Sequence, residues 1–355
     1  MKIVHVAMEM FKTSGISEFC KQVAERHARA GIDTTLLVSH DYDNIVNDEV
    51  RVINEQRLDV LDFRPDLVHI QSLWSPFSAR AMKWCLKHKV PYVVSPHGCM
   101  MPRVFKKGWL KKHLFWWLFL KSSVMKAKLI HCTSEAEEIE VKKRLGAKAP
   151  RTVVVPLGTD LPENELEKVV GDGGFKALFL GRISDEKGLP TLLDAWKRIY
   201  GEGDELILAG PDWRGYEARL REKVEVEKIG GVKFVGRADQ AKKDELFREV
   251  DVLVLSSPME NFSLVILEAL ARGVPVIATK GTPWGDVVEH RCGWWVEYSA
   301  EEIGKAIGEA KGMERGKLEE MGERGRKLVE EKYTWEAVAK SVEKEYAKLL
   351  YNKSK

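Results

Sequence analysis

At 355 residues, with 44% hydrophobic and 31% charged content, the chain holds enough apolar sequence for two domains of ordinary size, at about 150 residues each. A formal charge of +3 excludes a disordered polyelectrolyte and gives no support to a dedicated nucleic-acid binder. Five cysteines without CxxC spacing exclude a disulfide framework and a structural zinc site, and fit a reducing cytoplasm.

In chain order, KIVHVAM reads as a strand with no secretory leader ahead of it, followed by a helix through Phe19 to Ala30. TTLLVS, DLVHIQ, PYVVSP, KLIHCTS and TVVVPLG follow as short apolar strands separated by helical stretches. Near-continuous apolar strands alternating with helices predict a parallel sheet covered on both faces. Within this half, Met101 to Ile130 carries eight basic residues, no acid, and Trp109, Phe115, Trp116, Trp117 and Phe119. Its apolar run, Leu114 to Leu120, is far short of the roughly 20 residues that span a bilayer. Two readings of 103–128 stay open: a helix attracted to an anionic membrane surface, or a solvated helix whose aromatics fill the core.

Pro156 to Gly174, rich in proline, glycine and acids, reads as a linker. A second α/β layer then runs through FKALFLG, ELILAG, VKFVG, DVLVLSS and PVIATKG. Helices are expected from Glu301, the last an amphipathic one over Tyr333 to Leu350. The boundaries predicted are 1–160 for the first domain, 161–334 for the second, and 335–355 returning to the first.

Ligands of open parallel sheets sit beyond the carboxyl ends of the strands, so the residues there carry the functional expectations. Ser14-Gly15 follows the first strand and precedes a helix. His97-Gly98 ends PYVVSP, where an imidazole meets a hydroxyl or fills a structural role. Arg182 and Lys187 lie on one glycine-bounded loop, an arrangement suited to clamping a diphosphate. Glu260, expected where a helix starts, and Glu268, two turns into VILEALA, place two carboxylates eight residues apart. A carboxylate in an apolar helix needs a partner, either a ligand or a basic side chain. Asp41-Tyr42-Asp43 resembles a metal-holding DxD but lies in a polar run that reads as loop. GxxxxGK[ST], GxGxxG and GxSxG are absent, which disfavours P-loop NTPases, Rossmann dehydrogenases and α/β-hydrolases. No His or Cys spacing suggests a metal site.

SGISEF, SPHGCM, IHCTSEAE, VVPLGTD, FLGRISDEKGLPTLLDAW, VGRADQAKKDEL, SPMENFSLVILEALARGVPVIATKGTPWGDVV and CGWWV, in that order over nearly the whole chain, resemble the retaining glycosyltransferases of family 4. The resemblance implies the GT-B fold, two Rossmann-like α/β domains facing across a cleft, with a C-terminal helix crossing back to the first. It implies a metal-independent transfer, with no bound cofactor, from a nucleotide-diphosphate sugar to a glycan or lipid-linked acceptor of cell-surface polysaccharide or glycolipid synthesis. Arg182 and Lys187 would take the diphosphate, Glu260 the sugar hydroxyls and Glu268 the ribose. Backbone amides of Asn261, Phe262, Ser263, Leu264 and Val265 would meet diphosphate and sugar, and the base would lie near Arg237. Gly15 would face the donor phosphate and His97 the sugar. The chain departs from the usual glycine pair at Ser14-Gly15 and from EGFG at Glu260-Asn261-Phe262-Ser263, which puts the donor's identity in question. The competing expectations are a non-catalytic nucleotide-sugar-binding subunit and a GT-B-fold epimerase or phosphorylase. The location expected is the cytoplasm, at the inner membrane face if 103–128 binds lipid.

Overall fold

The structure, a computed structural model, describes residues 1–8, 10, 15–39, 46–106, 108–162 and 173–351. Ser14 and the Asp41–Asp43 motif lie outside them, as does much of the linker. The chain divides into two compact units, Met1–Gly158 with Trp335–Lys355, and Thr159–Thr334.

Among the described residues the first unit has seven strands: β1 (Lys2–Ala7), β2 (Asp33–Val38), β3 (Arg51–Asn54), β4 (Leu67–Gln71), β5 (Tyr92–Ser95), β6 (Leu129–Cys132) and β7 (Thr152–Val154). All pairings are parallel, in the order β3-β2-β1-β4-β5-β6-β7. Its helices are α1 (Gly15–Arg29), α2 (Pro76–His88), α3 (Pro102–Lys106), α4 (Trp109–Phe115), α5 (Lys121–Val124) and α6 (Glu135–Leu145), with a π-helical turn at Trp116–Leu120. Ser75 caps α2 by accepting from the Ser78 amide, with Pro76 in the first turn where its missing N–H costs nothing. Strand side chains alternate between faces. Val4, Val6, Val68 and Ile70 therefore pack with Phe77, Met82, Trp116, Leu120 and Val124 in one apolar cluster, while His5 and His69, register partners on β1 and β4, point the other way.

The second unit repeats the scheme with six parallel strands: β8 (Lys176–Leu180), β9 (Glu205–Ala209), β10 (Val232–Gly236), β11 (Val252–Leu255), β12 (Val276–Thr279) and β13 (Gly293–Val296), ordered β10-β9-β8-β11-β12-β13. Around it lie α7 (Leu189–Ile199), α8 (Tyr216–Val226), α9 (Gln240–Glu249), α10 (Leu264–Leu270), α11 (Asp286–Glu289), α12 (Ala300–Lys311) and α13 (Arg315–Lys332). Trp196, Phe179, Leu192, Leu208, Val254 and Ile307 are buried in its main cluster. The terminal helix α14 (Trp335–Tyr351) belongs to the first unit and packs on α1. It begins two residues later than the sequence predicts, because Tyr333 still bonds back to Val329 as the cap of α13.

The basic-aromatic segment is partly buried and partly exposed. Trp116, Leu120 and Val124 are buried, whereas Trp109, Leu110, Leu114, Trp117 and Leu118 are each 60–65% exposed. Among the described residues no helix is long and apolar enough to cross a membrane.

Candidate functional site

In both sheets the strand order reverses once, between β1 and β4 in the first unit and between β8 and β11 in the second. Connections on the two sides of such a point leave in opposite directions and open a crevice at the strand ends. In the second unit the loops there are Gly181–Gly188 and Ser256–Ser263.

These loops are tied together by side chains. Gly188 has φ +68°, and a Cβ there would lie 2.1 Å from the Ser256 carbonyl oxygen, so only glycine lets the strands' tips approach. Ser256 Oγ donates to the Lys187 carbonyl at 3.0 Å, and Lys187 Nζ donates to the Glu260 carboxylate, which also accepts from Ser257 Oγ at 2.8 Å. The Glu260 amide donates to Gly281 O at 2.9 Å, and a side chain at Gly281 would strike the Pro258 carbonyl at 1.9 Å. Trp284 Nε1 donates to the Phe262 carbonyl, with the two rings 5.1 Å apart and Tyr333 5.6 Å beyond. Glu260 is thus fixed in a loop, not at a helix start as expected. Ser263, at φ +81°, interrupts the helical path, and α10 begins only at Leu264 with Val265 in its first turn.

In α10, Ile266, Leu267, Ala269 and Leu270 are buried while Glu268 reaches sideways to α9. Lys243 Nζ lies 2.9 Å from each Glu268 carboxylate oxygen. Arg272 reinforces the junction, donating to Asp244 Oδ1 at 2.7 Å and to the Glu268 carbonyl at 3.0 Å. Arg182 is exposed, its guanidinium 4.7 Å from the Trp213 ring centre. Arg237 is exposed just after β10, and Asn261 is half-buried. Lys187 and Glu260 are therefore brought into contact, and Glu268 meets a lysine that sequence reasoning did not name. Lys243 and Trp213 were missed because their partners, Glu268 and Arg182, are remote in the chain, whereas Ser257 lies three residues before Glu260 and the loop's fold alone turns its hydroxyl to that carboxylate.

In the first unit Gly15 opens α1, and His97 follows β5 with φ +49°. Behind it lies a cluster of buried imidazoles whose proton positions follow from a single carbonyl. Val155 O can only accept, so His131 carries its proton on Nε2 (2.7 Å), and its Nδ1 accepts from Ser95 Oγ (2.7 Å). Ser95 Oγ then accepts from His69 Nε2 (2.6 Å), and His69 Nδ1 accepts from the Tyr346 hydroxyl (2.5 Å) on α14. Burial pushes His5 and His97 down to about 3 and His131 to about 4, with neighbouring imidazoles assisting for His5 and His97. His69 is also driven well below its ordinary value, by burial first. All remain neutral at pH 7. A signal was present in the sequence, a histidine in the middle of each of KIVHVAM, DLVHIQ and KLIHCTS.

Among the described residues no group of three or more His, Cys, Asp or Glu side chains is placed to hold a metal ion. The arrangement offers cations and hydrogen-bond acceptors around a strand-end crevice, a chemistry suited to a phosphorylated, hydroxylated ligand.

Two family profiles match the chain: Glycosyl transferases group 1 over residues 163–328 and Glycosyl transferase 4-like domain over 14–158. An uncharacterized glycosyltransferase of Methanocaldococcus jannaschii is 31% identical over 175 residues, 48% of this chain and 44% of that protein. The chain spans about half the length of the curated relatives it matches. Sucrose-phosphate synthase of Thermosynechococcus elongatus has a similar structure at a TM-score of 0.78, with 22% identity, over 99% of this chain and 100% of that one. HepE of Anabaena, solved in complex with UDP, superposes at a TM-score of 0.79 with 18% identity, over 98% and 100% of the two chains. Likeness at these identities establishes the shared fold.

Proposed function

The chain belongs to the GT4-type glycosyltransferases of GT-B fold, and from that premise we propose that it is a retaining transferase moving a sugar from a UDP-sugar to a glycan or lipid-linked acceptor in cell-surface polysaccharide or glycolipid synthesis. The observation that carries this reading is the placement of Arg182 and Lys187 after β8 and of Glu260 after β11, on the two sides of the strand-order reversal. UDP is the nucleotide proposed because HepE, of the same fold, was solved with it.

In the proposed reaction the bond from the anomeric carbon to the diphosphate oxygen breaks, and the electron pair leaves with UDP. The acceptor oxygen bonds to that carbon on the same face, and its proton passes to the departing phosphate. The negative charge that grows on the leaving group is met by Arg182, Lys187 and the amides from Asn261 to Val265, not by a resident metal. Glu260, held by Ser257, accepts from sugar hydroxyls, and Glu268 from the ribose. Gly15 and His97 serve the phosphate and the sugar, and Arg237 lies with the base.

For the acceptor side we propose that 103–128 rests on an anionic membrane, supported by the exposed Trp109, Leu110, Leu114, Trp117 and Leu118 beside Lys111 and Lys121. Cationic π contact of Lys121 with Trp117, 3.6 Å from the ring centre, keeps charge and aromatic surface together. Co-sedimentation with anionic vesicles at low salt is expected, and its absence in wild type removes the membrane contact. The transfer itself is tested by UDP release from UDP-hexoses with lipid-linked saccharide acceptors, and by product NMR for the anomeric configuration. An inverted product sinks the retaining assignment.

A further inference from the structure

We infer that Gln71 is the positioning residue of His97, fixing its imidazole as the tautomer protonated on Nε2 so that Nδ1 is left as the acceptor for a hydroxyl of the transferred sugar. The inference rests on the proposed donor reading and deepens it.

Gln71 is the last residue of β4, fully buried, at the strand-order reversal of the first sheet. Its Oε1 lies 2.7 Å from His97 Nε2, and its Nε2 lies 3.3 Å from His5 Nδ1. An amide oxygen only accepts, so His97 must donate from Nε2, and in a neutral imidazole Nδ1 then bears the lone pair. The backbone is tied as firmly as the ring. His97 holds a left-handed φ of +49°, and the next amide, Gly98 N–H, donates to the buried Glu137 carboxylate. Glu137 is itself anchored by the Thr133 amide at 2.8 Å and hydroxyl at 3.0 Å. A strained non-glycine residue persists where its surroundings over-determine it, and such positions cluster at ligand sites.

The other strand imidazoles are spent on structure, with His69 and His131 in one continuous chain of hydrogen bonds. His97 differs: it is half-buried, and its Nδ1 has no hydrogen bond to a described residue. The titratable groups around it are His131 on β6, with ring centres 6.4 Å apart, His69 on β4, His5 on β1 behind Gln71, and Glu137 on α6 through the Gly98 amide. Phe19 of α1 closes the remaining side, edge-on at 5.5 Å. An uncharged acceptor calls for a partner with a hydrogen to give, so the sugar group facing His97 is a hydroxyl and not an ionised carboxylate.

Two measurements test this. In 15N NMR of the histidine-labelled wild type, with a His97→Gln variant to assign the signal, His97 should show a protonated Nε2 and an unprotonated Nδ1. A proton on Nδ1 overturns the inference. By calorimetry, Gln71→Met should leave the dissociation constant of UDP unchanged and raise that of UDP-glucose about three- to tenfold, the worth of one neutral hydrogen bond. An unchanged ratio of the two constants overturns it. If wild type binds neither ligand, the UDP-donor reading itself fails and the sugar contact falls with it, while the tautomer is still decided by the NMR signal.

Discussion

Lys243 Nζ stands 2.9 Å from both carboxylate oxygens of Glu268, clamping α9 to α10 at the position proposed for the ribose. A carboxylate has about four lone-pair directions, so the clamp leaves room for two ribose hydroxyls while fixing the plane in which they are accepted. Both side chains are 24% exposed. As a stabilising pair it is therefore worth only about 0.5–1 kcal/mol. Lys243→Met should lower the unfolding free energy by that amount and weaken UDP more than it weakens 2′-deoxy-UDP. Calorimetry with the two nucleotides checks it, and equal losses for both would assign Lys243 to stability alone.

Arg182 and Lys187 should separate in their effects. Loss of a preorganised contact to a developing anion costs on the order of 3 kcal/mol of barrier, or roughly a hundredfold in rate. Arg182→Ala should show that loss with stability unchanged, since the guanidinium is exposed over Trp213. Lys187→Ala should show it together with a measurable fall in stability, because Glu260 loses its ion-pair partner. Steady-state rates beside denaturant melts distinguish the two.

Ser263 occupies φ +81° at the head of α10 and caps nothing with its hydroxyl. A side chain in that region costs about 1–2 kcal/mol, partly offset in a Gly variant by the greater freedom of the unfolded chain. Ser263→Gly should leave stability equal or raise it by up to about 1 kcal/mol, and Ser263→Val should lower it by about 2 kcal/mol or more. Urea unfolding midpoints decide, and a Gly variant much weaker than wild type would show that the serine hydroxyl is needed.

Acid should weaken the first unit before the second. His5 and His97 are held down to about 3 and His131 to about 4, and all three are ordinary in the unfolded chain, near 6.5. Below that value the unfolded chain binds protons that the folded one refuses. The stability due to the neutral imidazoles is therefore complete above about pH 6.5 and is lost as pH falls toward 4, by about 1.4 kcal/mol per pH unit for each group. In the second unit the one imidazole is His290. Amide exchange read by mass spectrometry and corrected for the intrinsic pH dependence of exchange should show protection falling between pH 7 and 5 in β1, β4 and β6 and staying level in β8 and β11.

The alternation of apolar runs with helices made the two parallel layers legible from sequence, and the run from Met259 to Leu270 made the second unit's loop legible as a site. Its local shape was hidden: nothing in Glu260-Asn261-Phe262-Ser263 forbids a helix, and it is Trp284 and Gly281, closing on the loop from another segment, that hold it open. β3, only four residues at the sheet's edge beyond a polar run, offered too little apolar pattern to find. The partners of Glu268 and His97 lie 25 and 26 residues away, and no periodicity reports on such pairs.

If the crevice beside Arg182, Lys187, Glu260 and Glu268 takes a nucleotide-diphosphate sugar, thermal unfolding with UDP, GDP, ADP and dTDP will register it. A nucleotide that binds the native state, at a hundredfold excess over its dissociation constant, adds about 2.7 kcal/mol of stability. UDP should raise the midpoint of wild type, and Glu268→Ala and Arg182→Ala should lose the shift. A wild-type midpoint that none of the four nucleotides moves would contradict it.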